Sequence, residues 1–397
     1  MIKRNLGAVI QDAFSKWPIV AVTGPRQSGK TTLCTELFPN FQYVNLEYPD
    51  IRQFAVSDPR GFLKQFTGPA ILDEVQRVPE LFSYLMPLVD ETHAPGQFIL
   101  SGSQNFLLLE SISQSLAGRC ATFNLLPLSN AELNGRDCPD LFTLDEGPWS
   151  ISQEFGLEEM LYKGMYPSLY STQQSVAPGQ WYAQYVQSYL ERDVRTIVNV
   201  GDLGIFERFL GLCAGRSGQI LNMSSLANDA GISVPTVKRW ISILQTSFII
   251  TLLPAYEKNF NKRLTRTPKL YFLDTGLLCY LLHLRFSQEL LVSSFRGAVF
   301  ETFVVSELYK MAYHGGFRPP LYFWHITGEK EIDVIIDRGE TLPIPIEVKS
   351  GRTPHPSMAK NLKEWVAEGV AHKGLLVYGG DTLLSHGAVD FVPWSAF

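Results

Sequence analysis

The chain of 397 residues is poor in cysteine: Cys34, Cys120, Cys138, Cys213 and Cys279 stand far apart, mostly among apolar neighbours, with no CxxC pair. This spacing excludes zinc ligation and a disulfide framework, and is expected of buried thiols in a reducing compartment. Long apolar runs are absent as well. The opening MIKRNLGAVIQDAFSKWPIV has no long apolar core or small-residue cleavage site, and FIITLL (248–253) is far short of a membrane span. A cytoplasmic protein with no membrane partner is therefore expected. Charge of one sign is also scarce: charged residues make up 18% and the net charge is −5, so any nucleic-acid partner needs a local basic patch. No internal repeat or low-complexity tract occurs, and the length suggests two or three globular domains.

What the chain does carry begins with GPRQSGKT, Gly24 to Thr31, placed between the apolar run PIVAVT and the helix-compatible KTTLCTELF. This is Walker A spacing. Gly24 and Gly29 leave backbone N–H groups of the loop (Pro25, Arg26, Gln27, Ser28 and on into Thr32) free to wrap phosphate oxygens, Lys30 reaches the β and γ phosphates, and Thr31 offers Mg²⁺ a hydroxyl. ATP or GTP with Mg²⁺ is the implied cofactor. AILDE puts Asp73 and Glu74 at the end of an apolar run, the Walker B arrangement: Asp73 is expected to hold Mg²⁺, directly or through water, and Glu74 to orient the attacking water. FILSGSQN places Ser103 or Gln104 where either touches the γ-phosphate or that water, or merely ends a strand. Arg119, in LAGRC, is placed like an arginine that reaches into a neighbour's site, or else serves packing at the surface.

Residues 1–130 alternate short apolar runs with amphipathic stretches, as a parallel α/β sheet does, with strands expected at 19–23, 43–46, 70–74, 98–102 and 120–126. Residues 131–202 turn helical, including WYAQYVQSYLERDVRTI, and read as a lid or linker. In 203–275 three helices are expected, the last two joined by a tight turn at Gly231 with Ser233 as N-cap, followed by a hairpin of FIITLLPAY with KLYFLD. Helix-turn-helix plus hairpin is the winged-helix plan. Lys238 and Arg239 stand near the start of its candidate recognition helix. EKNFNKRLTRTPK adds Lys258, Lys262, Arg263, Arg266 and Lys269, with Phe260 among them. Two basic clusters suit phosphates of DNA or RNA on either side of a groove, while the same module also serves in protein contacts.

The final stretch, 276–397, returns to α/β. In EIDVIID alternation groups Asp333 with Glu331 and Ile335, opposite Ile332, Val334 and Ile336; in IPIEVK it groups Glu347 with Lys349. An Asp followed about fourteen residues later by Glu-x-Lys is the pattern of the PD-(D/E)xK nuclease-like fold. There Asp333 and Glu347 would bind Mg²⁺, Glu301 on the preceding helix would add a ligand or an outer contact, and Lys349 would activate water or steady the phosphate. Gly328 and Glu329 depart from the Pro-Asp of that pattern, and His325 either approaches the site or packs in its strand.

GPRQSGKTTL, YVNLEYPD, AILDEVQRVPELF, FILSGSQNFLL and SLAGR together resemble a family of prokaryotic AAA+ ATPases whose ATPase domain precedes a C-terminal domain of unknown function. LERDV, KLYFLDTGLLCYLL, FRGAVFETFVVSEL and IPIEVKSG resemble its second part, so the likeness spans nearly the whole chain. It implies ATP over GTP and a ring-like homo-oligomer in which Arg119 acts in trans. Two readings follow: an ATP-driven nucleic-acid enzyme or remodeler, and an ATP-dependent regulatory or assembly switch that binds a protein partner through an inactive nuclease-like domain.

Overall fold

Five of the short apolar runs pair side by side. In the computed structural model, which describes residues 2–102, 115–152, 154–171, 176–190, 203–257, 266–326 and 330–397, they form one parallel sheet in the order β2-β3-β4-β1-β5. The strands are β1 (Ile19–Thr23), β2 (Gln42–Asn45), β3 (Ala70–Asp73), β4 (Phe98–Ser101) and β5 (Cys120–Asn124). Central strands of a parallel sheet are covered on both faces, so continuous apolar runs such as IVAVT suit them. Successive β1 residues divide between two cores. Ile19 and Ala21 join Leu72, Leu100, Phe82 and Leu85, whereas Val20 and Val22 join Ile71, Ile99, Leu6, Ile10 and Leu33. The first core takes residues of a helix spanning Leu81–Thr92; the second takes residues of α1 (Leu6–Phe14) and α2 (Lys30–Leu37). The register Asn45↔Asp73 and Asp73↔Ser101 lines polar side chains along the carboxyl ends of β2, β3 and β4, where open α/β sheets bind ligands.

This sheet belongs to a compact unit of Met1–Leu128, Thr246–Phe248 and Tyr313–Arg318. A second unit comprises Ser129–Gln245, Ile249–Ala312 and Pro319–Phe397.

Within the second unit the helices α3 (Leu203–Ala214), α4 (Met223–Ala230) and α5 (Val234–Thr246) precede an antiparallel pair, β7 (Ile250–Leu253) with β8 (Lys269–Phe272), joined on the β8 side by β6 (Gln219–Ile220). Gly231 ends α4 with φ 72°, a conformation that favours glycine, and the Ser233 hydroxyl accepts from the Thr236 N–H at 3.2 Å. The same unit holds a six-stranded sheet, β13-β14-β12-β11-β10-β9. Its members are β9 (Leu321–Ile326), β10 (Lys330–Ile336), β11 (Ile344–Lys349), β12 (Gly374–Tyr378), β13 (Leu384–His386) and β14 (Val389–Pro393). β10 runs antiparallel to both β9 and β11; β11, β12 and β14 run parallel. Helix α6 (Arg296–His314) precedes β9, and α7 (Lys360–Ala367) packs Leu362 and Trp365 onto Ile332, Ile335 and Leu376. Ile335 thus lies in the same cluster as Ile332, not with Asp333 as strict alternation would require. A register shift between Ile332 and Ile335 breaks the period, as a β-bulge does. Among the described residues no helix is long and apolar enough to cross a membrane.

Candidate functional site

The phosphate loop leaves β1 through Gly24, whose φ is 145°; a Cβ there would lie 2.2 Å from the Leu125 carbonyl oxygen. Gln27 (φ 60°) and Gly29 (φ 93°) complete a path of left-handed turns into α2. Arg4, buried just ahead of α1, holds the loop from beneath, donating to the Ser28 carbonyl at 2.7 Å and to the Leu126 carbonyl at 2.6 Å. Gln27, Thr31 and Thr32 are exposed and Arg26 is half-buried. Lys30 is buried and folds back over the loop, donating to the carbonyls of Pro25 (2.7 Å) and Gly24 (3.1 Å). Burial lowers its pKa to about 8, with Glu74 and Asp73 pulling the other way.

Asp73 stands at the carboxyl end of β3 and is buried. Its Oδ2 accepts from Thr31 Oγ1 at 2.8 Å and from the Tyr43 hydroxyl at 2.9 Å, and its Oδ1 accepts from Ser101 Oγ and, at 3.1 Å, from the Glu74 N–H. Glu74 takes φ 54°, uncommon for a residue with a side chain, and accepts from Gln76 Nε2. Ser103 and Gln104 lie outside the described residues. Ser101, two positions earlier, and Tyr43 are the neighbours of Asp73 that sequence reading missed. The signal available for Ser101 was a serine ending the apolar run FILS. Arg119 makes a fork with Asp90, Nε to Oδ1 at 2.6 Å and Nη2 to Oδ2 at 2.8 Å.

The C-terminal carboxylates gather on the sheet of the second unit. Pairing of Val334 with Ile346 sets Asp333 beside Glu347 on neighbouring strands. Lys349 Nζ lies 2.8 Å from Glu347 and 3.8 Å from Asp333; Asn361 Nδ2 donates to Glu347 Oε1 at 3.2 Å, and the Val348 N–H to Asp333 at 2.7 Å. Glu301 Oε1 accepts from the Tyr271 hydroxyl at 2.6 Å and from Lys269 at 3.4 Å, and Lys269 also pairs with Glu331. Burial, then repulsion from Asp333, pushes both Glu301 and Glu347 up to about 7. Burial draws Lys269 and Lys349 down, but the carboxylates outweigh it and hold both above the ordinary lysine value.

One expectation needs correction. Lys269 is not part of an exposed basic cluster: it is 5% exposed and serves as counter-charge to the carboxylates. Among the described residues no group of three His, Cys, Asp or Glu side chains is placed to hold a metal. Glu301 turns one oxygen to Tyr271 and Lys269. Lys238 and Arg239 are exposed on α5; Arg266 pairs with Glu257 at 2.6 Å; Lys258, Phe260, Lys262 and Arg263 lie outside the described residues.

Residues 16–134 match the family model of an AAA domain. Two further models, both described as domains of unknown function, match residues 154–288 (DUF8612) and 296–397 (DUF4143). The uncharacterized proteins Mb2031c of Mycobacterium bovis and Rv2008c of Mycobacterium tuberculosis are each 27% identical over 380 residues, covering 96% of this chain and 80% of theirs. Among solved structures, the Walker-type ATPase PABY2304 of Pyrococcus abyssi aligns with TM-score 0.43 and 12% identity over 71% of this chain and 96% of that one. AMPPCP-bound DnaA from Aquifex aeolicus aligns with TM-score 0.28 and 14% identity over 60% of this chain and 85% of its own.

Over residues 16–134 the chain matches an AAA domain, and the residues there fit a nucleotide with Mg²⁺. The Thr31 hydroxyl meeting Asp73 at 2.8 Å is a pair of hard oxygens suited to Mg²⁺, and the buried ammonium of Lys30 sits inside a glycine-bounded loop at a helix start, the setting that binds phosphate. Bound ATP supplies the phosphoanhydride that is cleaved. With it bound, the loop backbone would cradle the phosphates, Lys30 would neutralise them and Glu74 would orient water.

Proposed function

We propose that this protein couples ATP hydrolysis in residues 1–130 to the binding and processing of DNA or RNA by residues 203–397, with 131–202 as lid or linker. In this reading 203–275 is a winged helix and 276–397 a PD-(D/E)xK nuclease-like domain. The observation that carries it is the meeting of Asp333, Glu347 and Lys349 on adjacent strands of a sheet whose three antiparallel strands continue into parallel ones. Asp333 and Glu347 would hold Mg²⁺, and Lys349 would steady the phosphate or activate water. Exposed Lys238 and Arg239 on α5 support contact with a phosphate backbone. For the ATPase, Thr31 and Asp73 are the metal ligands and Glu74 the base. The chain works as a homo-oligomeric ring in which Arg119 leaves Asp90 to reach a neighbour's nucleotide.

Supercoiled plasmid and labelled RNA, incubated with Mg²⁺ or Mn²⁺ and ATP, test the reading. Wild type should nick or cut one of them, and Glu347→Ala and Lys349→Ala should not. Absence of cleavage by wild type would favour the second reading, an ATP-dependent switch that binds a protein partner. One observation already leans that way: Lys269 and Lys349 neutralise the carboxylates from within the fold.

A further inference from the structure

Asp73 accepts four hydrogen bonds, as many as the lone-pair sites of its two oxygens. A carboxylate so fully satisfied can take a cation only if a donor leaves it. The four donors differ in what leaving would cost them. Ser101 is fully buried on β4, and its hydroxyl would be stranded in the core. The Glu74 N–H belongs to the backbone, fixed where β3 ends in a left-handed turn. Thr31 donates its hydroxyl from the start of α2 and is itself the second oxygen for Mg²⁺.

Tyr43 is different. It comes from β2, an edge strand of the sheet, and 39% of the residue is open to solvent, so this donor, alone of the four, belongs to a half-exposed side chain at the rim of the sheet. It also shares Oδ2 with Thr31, the same oxygen a cation bridging Thr31 and Asp73 would use. We propose that Tyr43 gates the metal position of the ATPase site: its hydroxyl holds Asp73 Oδ2 and gives way to a divalent cation arriving with nucleotide. Lys30, folded onto the Gly24 and Pro25 carbonyls, closes the phosphate side in the same manner. The charged groups of the site thus keep protein partners until nucleotide and cation replace them together. This couples the two ligands: cation binding is opposed by the Tyr43 contact unless the nucleotide phosphates supply further ligands.

The test uses the full chain and a fluorescent, non-hydrolysable ATP analogue. Mg²⁺ is titrated at fixed nucleotide, and nucleotide affinity is measured separately in EDTA. Tyr43→Phe removes the competing donor and keeps the ring. The apparent Mg²⁺ dissociation constant should fall by roughly ten- to a hundredfold, the range expected for losing one hydrogen bond to a charged group, while affinity in EDTA stays at the wild-type value. Tyr43→Ala should shift the Mg²⁺ constant in the same direction. An unchanged or weaker Mg²⁺ constant in both variants would overturn the gate, as would an equal change with and without Mg²⁺, which would mark Tyr43 as a support of the loop.

Discussion

Replacing Lys269 by methionine retains most of the aliphatic stem and deletes the ammonium. In the native fold that ammonium is almost fully buried and faces Glu301 at 3.4 Å and Glu331 beside it. Removing one partner of a buried ion pair leaves the other uncompensated, at a cost of about 3–5 kcal/mol. Here Glu301 can escape part of that cost by taking a proton, because burial and Asp333 already raise its carboxyl to about 7 while Lys269 holds it down. Loss of Lys269 raises it further. An acid whose folded pKa exceeds its unfolded value destabilises the fold increasingly as pH climbs from the unfolded value to the folded one. The variant should therefore lose about 3 kcal/mol at pH 8.5 and about 1 kcal/mol at pH 6, where a protonated Glu301 needs no counter-charge. For a unit of this size that is a melting shift of about 6–12 °C at pH 8.5 and about 2–4 °C at pH 6, readable by scanning calorimetry. Glu301→Gln in the same background should restore most of the loss at pH 8.5. Equal losses at both pH values, or none at pH 8.5, would refute the assignment of Lys269 as counter-charge.

Lys30→Ala should abolish ATP turnover measured by phosphate release, and Glu74→Gln should keep nucleotide binding while slowing turnover by on the order of a hundredfold. Turnover of Glu74→Gln at the wild-type rate would show that another group orients the water. Burial raises the thiols of Cys34, Cys120 and Cys138 to about 12, so native protein at pH 8 should resist alkylation until denaturant exposes them. Fast, stoichiometric labelling of the native protein would contradict that packing.

The parallel sheet and the phosphate loop were readable because each signal there is local: a continuous apolar run, a glycine where φ must be positive, a helix start directly after it. The turn at Gly231 and the hairpin of β7 with β8 were readable for the same reason. The partners that complete each site were not. Tyr43 and Ser101 reach Asp73 from strands 30 and 28 residues away in sequence, and nothing in YVNL or FILS marks which side chain will face a carboxylate. Asp90 claims Arg119 across 29 residues. Lys269 misled for a related reason: its neighbours in sequence are basic and polar, yet β8 pairs on both sides, and its side chain turns inward to Glu301 and Glu331. Alternation also failed at Ile335, where a bulge shifts the period without leaving a glycine or proline as warning.

Arg4 gives the phosphate loop a handle outside itself. The guanidinium that fixes the Ser28 carbonyl hangs from the segment just before α1, so whatever pulls on that segment pulls on the loop. A purification tag or fusion partner placed ahead of it is thus an experimental variable for nucleotide affinity.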